Sequence, residues 1–188
     1  MIYSKLVHEA AEVAAKLHEG QFRKHPEGTP YFSHLAYVAL ILQKAGYDDE
    51  IVAAAFLHDA IEDTEYTAEK MRTHFGARVT ELVLAVSEQK HVNPWAKRKR
   101  LYREQISESD IEAVALACAD HLHNVKSLTL TVDSGIDIKT LFEIGIEERF
   151  AHERDLVTIF NEKLNGSELA KEFESAVGEL ELAMNKYV

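Results

Sequence analysis

Residues 51–64 read IVAAAFLHDAIEDT, and the fold turns on them. Residues 51–57 are apolar with no glycine or proline, and Asp48 stands just before them as a helix cap. This predicts a helix over about 49–63. Into it fall His58, Asp59, Glu62 and Asp63. At 3.6 residues per turn, 58 and 62 share a face, 59 and 63 share the next row, and all four lie in one polar stripe. A second apolar helix has the same anomaly. Residues 111–128, IEAVALACADHLHNVKSL, carry Asp120, Asn124 and Ser127 at i, i+4 and i+7, again on one face.

Outward from these helices, the rest of the chain also reads as helix. Ser4 caps a segment to about His18, stopped by Gly20. Residues 21–33, QFRKHPEGTPYFS, form a loop punctuated by Pro26, Gly28 and Pro30. A helix over about 34–45 stops at Gly46; Thr67 starts a short one to about Phe75, and Gly76 separates it from another over about 77–88. Asn93-Pro94 reads as a cap followed by proline at the first helical position of a helix to about Ile106. Ser109-x-x-Glu112 reads as a capping box opening the long helix to about Thr131. A loop over 133–138, a helix over 139–164, a break at Asn165-Gly166-Ser167 and a last helix from about Glu168 complete the chain. No run alternates as a strand does, and no repeat recurs at a fixed period. The expectation is a compact all-α domain over residues 1–188, without a linker.

Composition narrows the function. The chain has 188 residues, a size suited to one domain with an unstapled core. Lys+Arg is 21 against Asp+Glu 32, a formal charge of −11, which argues against broad binding to DNA or RNA. A locally basic pocket for a small anion stays open. One cysteine, Cys118, cannot form an internal disulfide and fits a reducing compartment. No stretch approaches the ~20 apolar residues of a membrane span, and the N-terminus lacks a signal layout. The expected location is the cytoplasm.

The acids in the apolar helices need a counter-charge. An isolated buried carboxylate costs several kcal/mol or more unless it is paired or binds metal. Neither helix holds a lysine or arginine before Lys126. A divalent metal answers the need, and imidazole with carboxylate suits Mn, Fe or Zn. His58-Asp59 offers two ligands, Asp120 a third, and His34, at the start of the second helix, a fourth. Taken singly, each has a plainer reading: Glu62-Asp63 as a solvated helix end, Asp120 as a partner of Lys126. Together those readings leave polar residues in the most apolar helices unexplained.

The order His34, His58-Asp59, Asp120 resembles the signature of the HD-domain metal-dependent phosphohydrolases. GQFRKHPEGTPYFSH, LHDAIEDT and ADHLHNV resemble three motifs of the hydrolase domain of RelA/SpoT proteins, over roughly residues 8–130. The chain has no room for the synthetase and regulatory domains of the long members, so it is similar to the small alarmone hydrolases. The resemblance implies that His34, His58, Asp59 and Asp120 hold one Mn²⁺. It implies that Glu62 and Asp63 position and deprotonate the attacking water. Arg23 would stack on the nucleobase with Lys24 near the ligand, and Asn124 and Ser127 would contact sugar and phosphates. WAKRKRLY, with Lys97-Arg98-Lys99-Arg100, resembles a stretch placed near the substrate's phosphates; the alternative is a solvated surface.

Two departures from the family pattern stand out. Leu35 follows His34 where the family usually has proline, which should alter the helix start rather than the ligand. His121 stands where relatives carry arginine or lysine, which removes a permanent charge near the site. His74, His91, His123 and His152 are assigned no metal role, the alternative being that one serves a second metal as in the wider HD superfamily. The expected activity is cleavage of the 3′-pyrophosphate of a guanosine alarmone, ppGpp or pppGpp. The rivals are hydrolysis of an adenosine alarmone or NADPH, and a non-catalytic nucleotide and metal sensor; Glu62 and Asp63 speak against the sensor, which needs no water-handling pair.

Overall fold

The computed structural model describes residues 3–24, 28–136 and 145–185. Among them the chain forms nine helices: α1 Lys5–Leu17, α2 Phe32–Lys44, α3 Asp49–Leu57, α4 Ala60–Asp63, α5 Ala68–Val86, α6 Trp95–Glu108, α7 Ile111–Asp133, α8 Ile146–Lys163 and α9 Glu168–Asn185. The all-α expectation is met. The described residues pair as strand only at one isolated bridge, Phe22 with Pro30.

The caps explain most boundaries. Ser4 Oγ accepts from Val7 N at 3.3 Å, Asp48 Oδ1 from Glu50 N at 3.0 Å and Ile51 N at 3.2 Å, and Thr67 Oγ1 from Lys70 N at 3.2 Å. Each satisfies donors that a helix start leaves open. The capping box at Ser109 is not formed. Asp110 caps α7 instead, accepting from Ala113 N at 2.9 Å, because a carboxylate one residue on meets the same donors with a full negative charge. Ser109 turns back to Gln105 O at 2.8 Å, and Glu112 pairs with Arg78. Pro94 is likewise the cap of α6 rather than its first residue: its extended backbone (φ −72°, ψ 172°) leaves Trp95 to begin the helix.

Three further boundaries differ from expectation. α2 begins at Phe32, two residues early, because Ser33 N and His34 N already bond back to Pro30 O and Tyr31 O at 3.0 and 2.9 Å. Leu35 is fully buried within it. The helix expected over 49–63 is two segments, α3 and α4. The Ala55 carbonyl accepts a bond from His58 Nδ1 at 2.7 Å at the break, yet His58 and Asp59 keep right-handed helical dihedrals. Asp63 N still reaches Asp59 O at 2.9 Å, so the polar stripe survives. The two helices expected around Gly76 meet within α5, where Gly76 takes φ 86°, a value that favours glycine. The expected start of a helix at 139 lies outside the described residues; α8 is described from Ile146, and the break at 165–167 stands.

Two helices are buried all round. Every residue from Ala113 to Ala119 in α7 is buried, as is every residue from Ile51 to Ala55 in α3. Six alanines in those stretches of α7 and α3 lie at 0% exposure, small enough for neighbouring backbones to come close. α7 packs against α2, α3, α5, α8 and α9, and α3 against α1, α2 and α5. These two central helices are the ones that carry His58-Asp59 and Asp120, so the polar residues are delivered to the middle of the packing.

Candidate metal centre and substrate cleft

α2, the α3–α4 junction and α7 bring His34, His58, Asp59 and Asp120 together. His34 Nε2 stands 3.1 Å from Asp120 Oδ1, and His58 Nε2 3.6 Å from the same oxygen. Asp59 Oδ2 lies 3.3 Å from His58 Nε2 and 3.7 Å from His34 Nε2. One ligand atom from each of His34, His58 and Asp120 fits within 4.8 Å of the others, a spacing that can hold a metal ion. Asp120 does not pair with Lys126, which bonds to Glu179 at 2.6 Å.

The donor chemistry fits a dication. His58 Nδ1 donates to the Ala55 carbonyl, which in the neutral ring makes Nε2 the bare nitrogen. That Nε2 is buried and has no hydrogen-bond partner among the described residues, so the neutral ring aims a lone pair into the cluster with no donor to meet it. Burial opposes charge on His58, yet Asp59 and Asp120 outweigh it and push its pKa up to about 10. The cluster's field therefore favours a cation.

The carboxylates are held from behind. Tyr31 Oη donates to Asp59 Oδ2 at 2.5 Å, and burial with Asp59 raises the Tyr31 pKa, keeping it a donor. Asn124 Nδ2 donates to Asp120 Oδ1 at 2.7 Å, while Asn124 Oδ1 accepts from Arg23 at 3.0 Å. The Arg23 guanidinium also lies 5.9 Å from the Tyr31 ring centroid. A chain of contacts thus runs from the loop arginine to both acids.

Glu62 and Asp63 sit one turn beyond. Burial and the Asp59 charge push the Glu62 pKa up to about 7, against a bond from Glu88 N at 2.6 Å to its Oε1. Lys90 Nζ stands 3.3 Å from Glu62 Oε2 and also pairs with Asp63. A carboxyl poised near neutrality, a helical turn from the candidate ligand cluster, is suited to take a proton from water.

Beside the cluster opens a cleft of about 430 Å³, lined by Arg23, Lys24, Tyr31, Asp63, Lys90, Asn124, Ser127 and Arg149 among others. Its cations answer the need for a local anion site in an acidic chain. The basic run at 97–100 divides: Arg98 and Lys99 bond to Glu88, whereas Lys97 is exposed and Arg100 pairs with Glu104 on the surface. Lys99 also lines a smaller cavity of about 130 Å³ shared with His58, Asp59, Glu62 and Asp120.

A second group, His121, His152 and Glu153, has metal-compatible spacing and is wholly buried. His121 Nδ1 lies 3.0 Å from Glu153 Oε2. Arg103 donates to His152 Nδ1 at 2.9 Å, which places the ring hydrogen of neutral His152 on Nε2. Arg149 lies 3.7 Å from Glu153. His121 and Arg149 overcome burial and hold the Glu153 carboxyl down to about 2. This group already has its cations.

Residues 10–139 match the family model described as HD domain, and the chain belongs to that family. It is similar to the human guanosine-3′,5′-bis(diphosphate) 3′-pyrophosphohydrolase MESH1, with 44% identity over 129 residues, 68% of this chain and 72% of that protein. The guanosine-3′,5′-bis(diphosphate) 3′-pyrophosphohydrolase of Haemophilus influenzae is 39% identical over 121 residues, 62% of this chain but 18% of that longer protein. Among solved structures, a metazoan orthologue of SpoT that hydrolyses ppGpp matches with a TM-score of 0.79 at 27% identity, over 95% of this chain and 97% of the other. The Listeria monocytogenes protein lmo0812 matches with a TM-score of 0.72 at 34% identity, over 84% and 99%.

Sequence reasoning placed the cluster and the cleft but missed Tyr31, Lys90, Glu88, Arg149 and the contact of His123 with His34. Only Tyr31 and His123 carried a signal, lying inside the motifs PYFSH and ADHLHNV.

Proposed function

We propose that this chain hydrolyses the 3′-pyrophosphate of guanosine alarmones, converting ppGpp to GDP and pppGpp to GTP with release of pyrophosphate. The observation that carries the reading is the convergence of three separated motifs on one histidine–carboxylate cluster that opens into a cation-lined cleft. His34, His58, Asp59 and Asp120 would hold a divalent ion, with Mn²⁺ the expected one. When bound, such an ion polarises a phosphoryl oxygen and lowers the pKa of water.

The protein's own groups supply the rest. Glu62 takes the water's proton, and Asp63 orients it. Arg23, tied to Asn124 and set over Tyr31, presents a guanidinium plane on which a nucleobase stacks. Asn124 and Ser127 meet the sugar, while Lys24, Lys90 and Arg149 meet phosphates. The 3′ side then faces the cluster, and water attacks the phosphorus joined to the 3′ oxygen. The buried cluster that runs from Ala10 to Met184 supports residues 1–188 acting as one domain. No helix among the described residues is long and apolar enough to cross a membrane, and the one thiol is buried, which supports action in the cytoplasm.

The test is product analysis. EDTA-stripped protein is given Mn²⁺ and ppGpp, and products are separated by ion exchange. GDP with pyrophosphate is expected. Orthophosphate released from any 5′-nucleotide overturns the alarmone reading, turnover of adenosine alarmones or NADPH alone moves the substrate, and no turnover of any nucleotide favours a sensor.

A further inference from the structure

The histidines of the cluster differ in how their second nitrogen is held. His58 Nδ1 faces a carbonyl, which only accepts, so whenever the ring is neutral its Nε2 is the bare nitrogen. His34 Nδ1 faces another imidazole: His123 Nδ1 lies 2.7 Å away, with the ring centroids 4.7 Å apart. Two ring nitrogens at that distance share one hydrogen, and either ring can own it. If His34 carries its hydrogen on Nε2, it donates to Asp120 Oδ1 at 3.1 Å and accepts from His123. If it carries the hydrogen on Nδ1, it donates to His123 and leaves Nε2 bare. Only the second arrangement gives His34 a lone pair for a cation. His123 also reaches a groove of about 510 Å³ lined by Tyr37, Lys126 and Leu130, so its far side has access to water.

We propose that His123 is a positioning residue that sets the tautomer of His34, donating to His34 Nδ1 when the cluster is free of metal and accepting from it when a dication is held. The inference rests on the metal reading above. The exchange balances with both rings neutral throughout. The hydrogen between the two Nδ1 atoms passes from His123 to His34, the His34 Nε2 hydrogen leaves to water, and His123 gains one from water on Nε2. A ligating imidazole generally has its other nitrogen fixed by an acceptor, and loss of such a partner typically costs 10–100-fold in metal affinity.

The experiment uses the full chain at one fixed pH, with Zn²⁺ as a diamagnetic probe. Long-range ¹H–¹⁵N spectra of histidine-labelled protein read the tautomers with and without Zn²⁺, and a competing chelator reads the affinity. Wild type is expected to show His34 as the Nε2–H form alone and as the Nδ1–H form with Zn²⁺, with His123 changing in the opposite sense. His123→Phe, which keeps a ring but no acceptor, should weaken Zn²⁺ binding by ~10–100-fold. His123→Asn, whose side-chain amide reaches the Nδ1 position, should restore it close to wild type. An unchanged His34 tautomer, or His123→Phe binding as wild type does, overturns the inference while the metal reading stands. Absence of Zn²⁺ and Mn²⁺ binding by wild type overturns both. If His123→Phe fails to fold, the wild-type spectra decide alone.

Discussion

Two histidine–carboxylate groups meet on α7 one residue apart. Asp120 belongs to the first, with His34 and His58; His121 belongs to the second, with His152 and Glu153. Residue types and spacing are alike, and all the members are buried except Asp120, which is partly exposed. They differ in where the hydrogens and cations lie. Among the described residues, the first has an unpartnered Nε2 on His58, bare when the ring is neutral, and two carboxylates without an arginine or lysine bonded to them. In the second, Arg103 occupies His152 Nδ1, so the unpartnered His152 Nε2 carries a hydrogen rather than a lone pair, and Arg149 flanks Glu153. A metal centre is therefore defined by uncommitted lone pairs and uncompensated charge, and composition alone does not identify one.

The comparison breaks most directly on metal content. Asp120→Ala and His58→Ala should each abolish tight Mn²⁺ binding, while Glu153→Ala keeps one ion per chain; elemental analysis after dialysis reads all three. Equal metal in wild type and Asp120→Ala would sink the assignment of the first group. A smaller effect separates ligands from chemistry. Glu62→Gln should retain metal and substrate but lose ~10²–10⁴ in kcat, the usual worth of a general base. A fall in bound metal in that variant would make Glu62 a ligand instead.

The second group is read through stability. Glu153→Ala leaves buried His121 and Arg149 without their carboxylate, and breaking a buried pair costs about 3–5 kcal/mol. Denaturant unfolding measures it. The folded-state pKa of Glu153 is depressed, so its contribution is present above the ordinary glutamate range and is lost as pH falls toward about 2. Glu153→Gln should flatten the pH dependence of stability in that acid window; an unaltered slope counts against the pairing. The smallest effect lies in the cleft. Arg23→Ala should mainly raise KM, by the ~0.5–2 kcal/mol of a cation–π contact, with kcat nearly kept. A loss confined to kcat assigns Arg23 to the transition state.

The first group was legible in the sequence because helical spacing is rigid. Polar residues inside apolar runs stand out, and i, i+4 arithmetic assigns their faces. His58, Asp59, Asp120 and Asn124 lie on the elements so derived, and the break between α3 and α4 did not rotate them out of register. What stayed hidden depends on contacts between distant segments. Tyr31 reaches Asp59 across 28 positions, and His123 reaches His34 across 89. Lys90 meets Glu62 from the connection between α5 and α6, where no periodicity exists to aim a side chain. His121 read as a lost cation facing substrate; the structure gives it a carboxylate from α8. Of the basic run, Arg98 and Lys99 turned to Glu88, a partner that only the packing of α6 reveals.

α7 contributes Asp120, His121, His123, Asn124 and Ser127 from a single uninterrupted coil. Each residue advances the helix by 100°. Adding or deleting one residue between Ala113 and Ala119 would therefore turn all five side chains together, taking Asp120 away from His34 and swinging a neighbour into its place. A change in the coil's length would thus act on the whole site at once, where exchange of one of these residues acts on one position. The register of this one coil and the geometry of the site depend on the same count of residues.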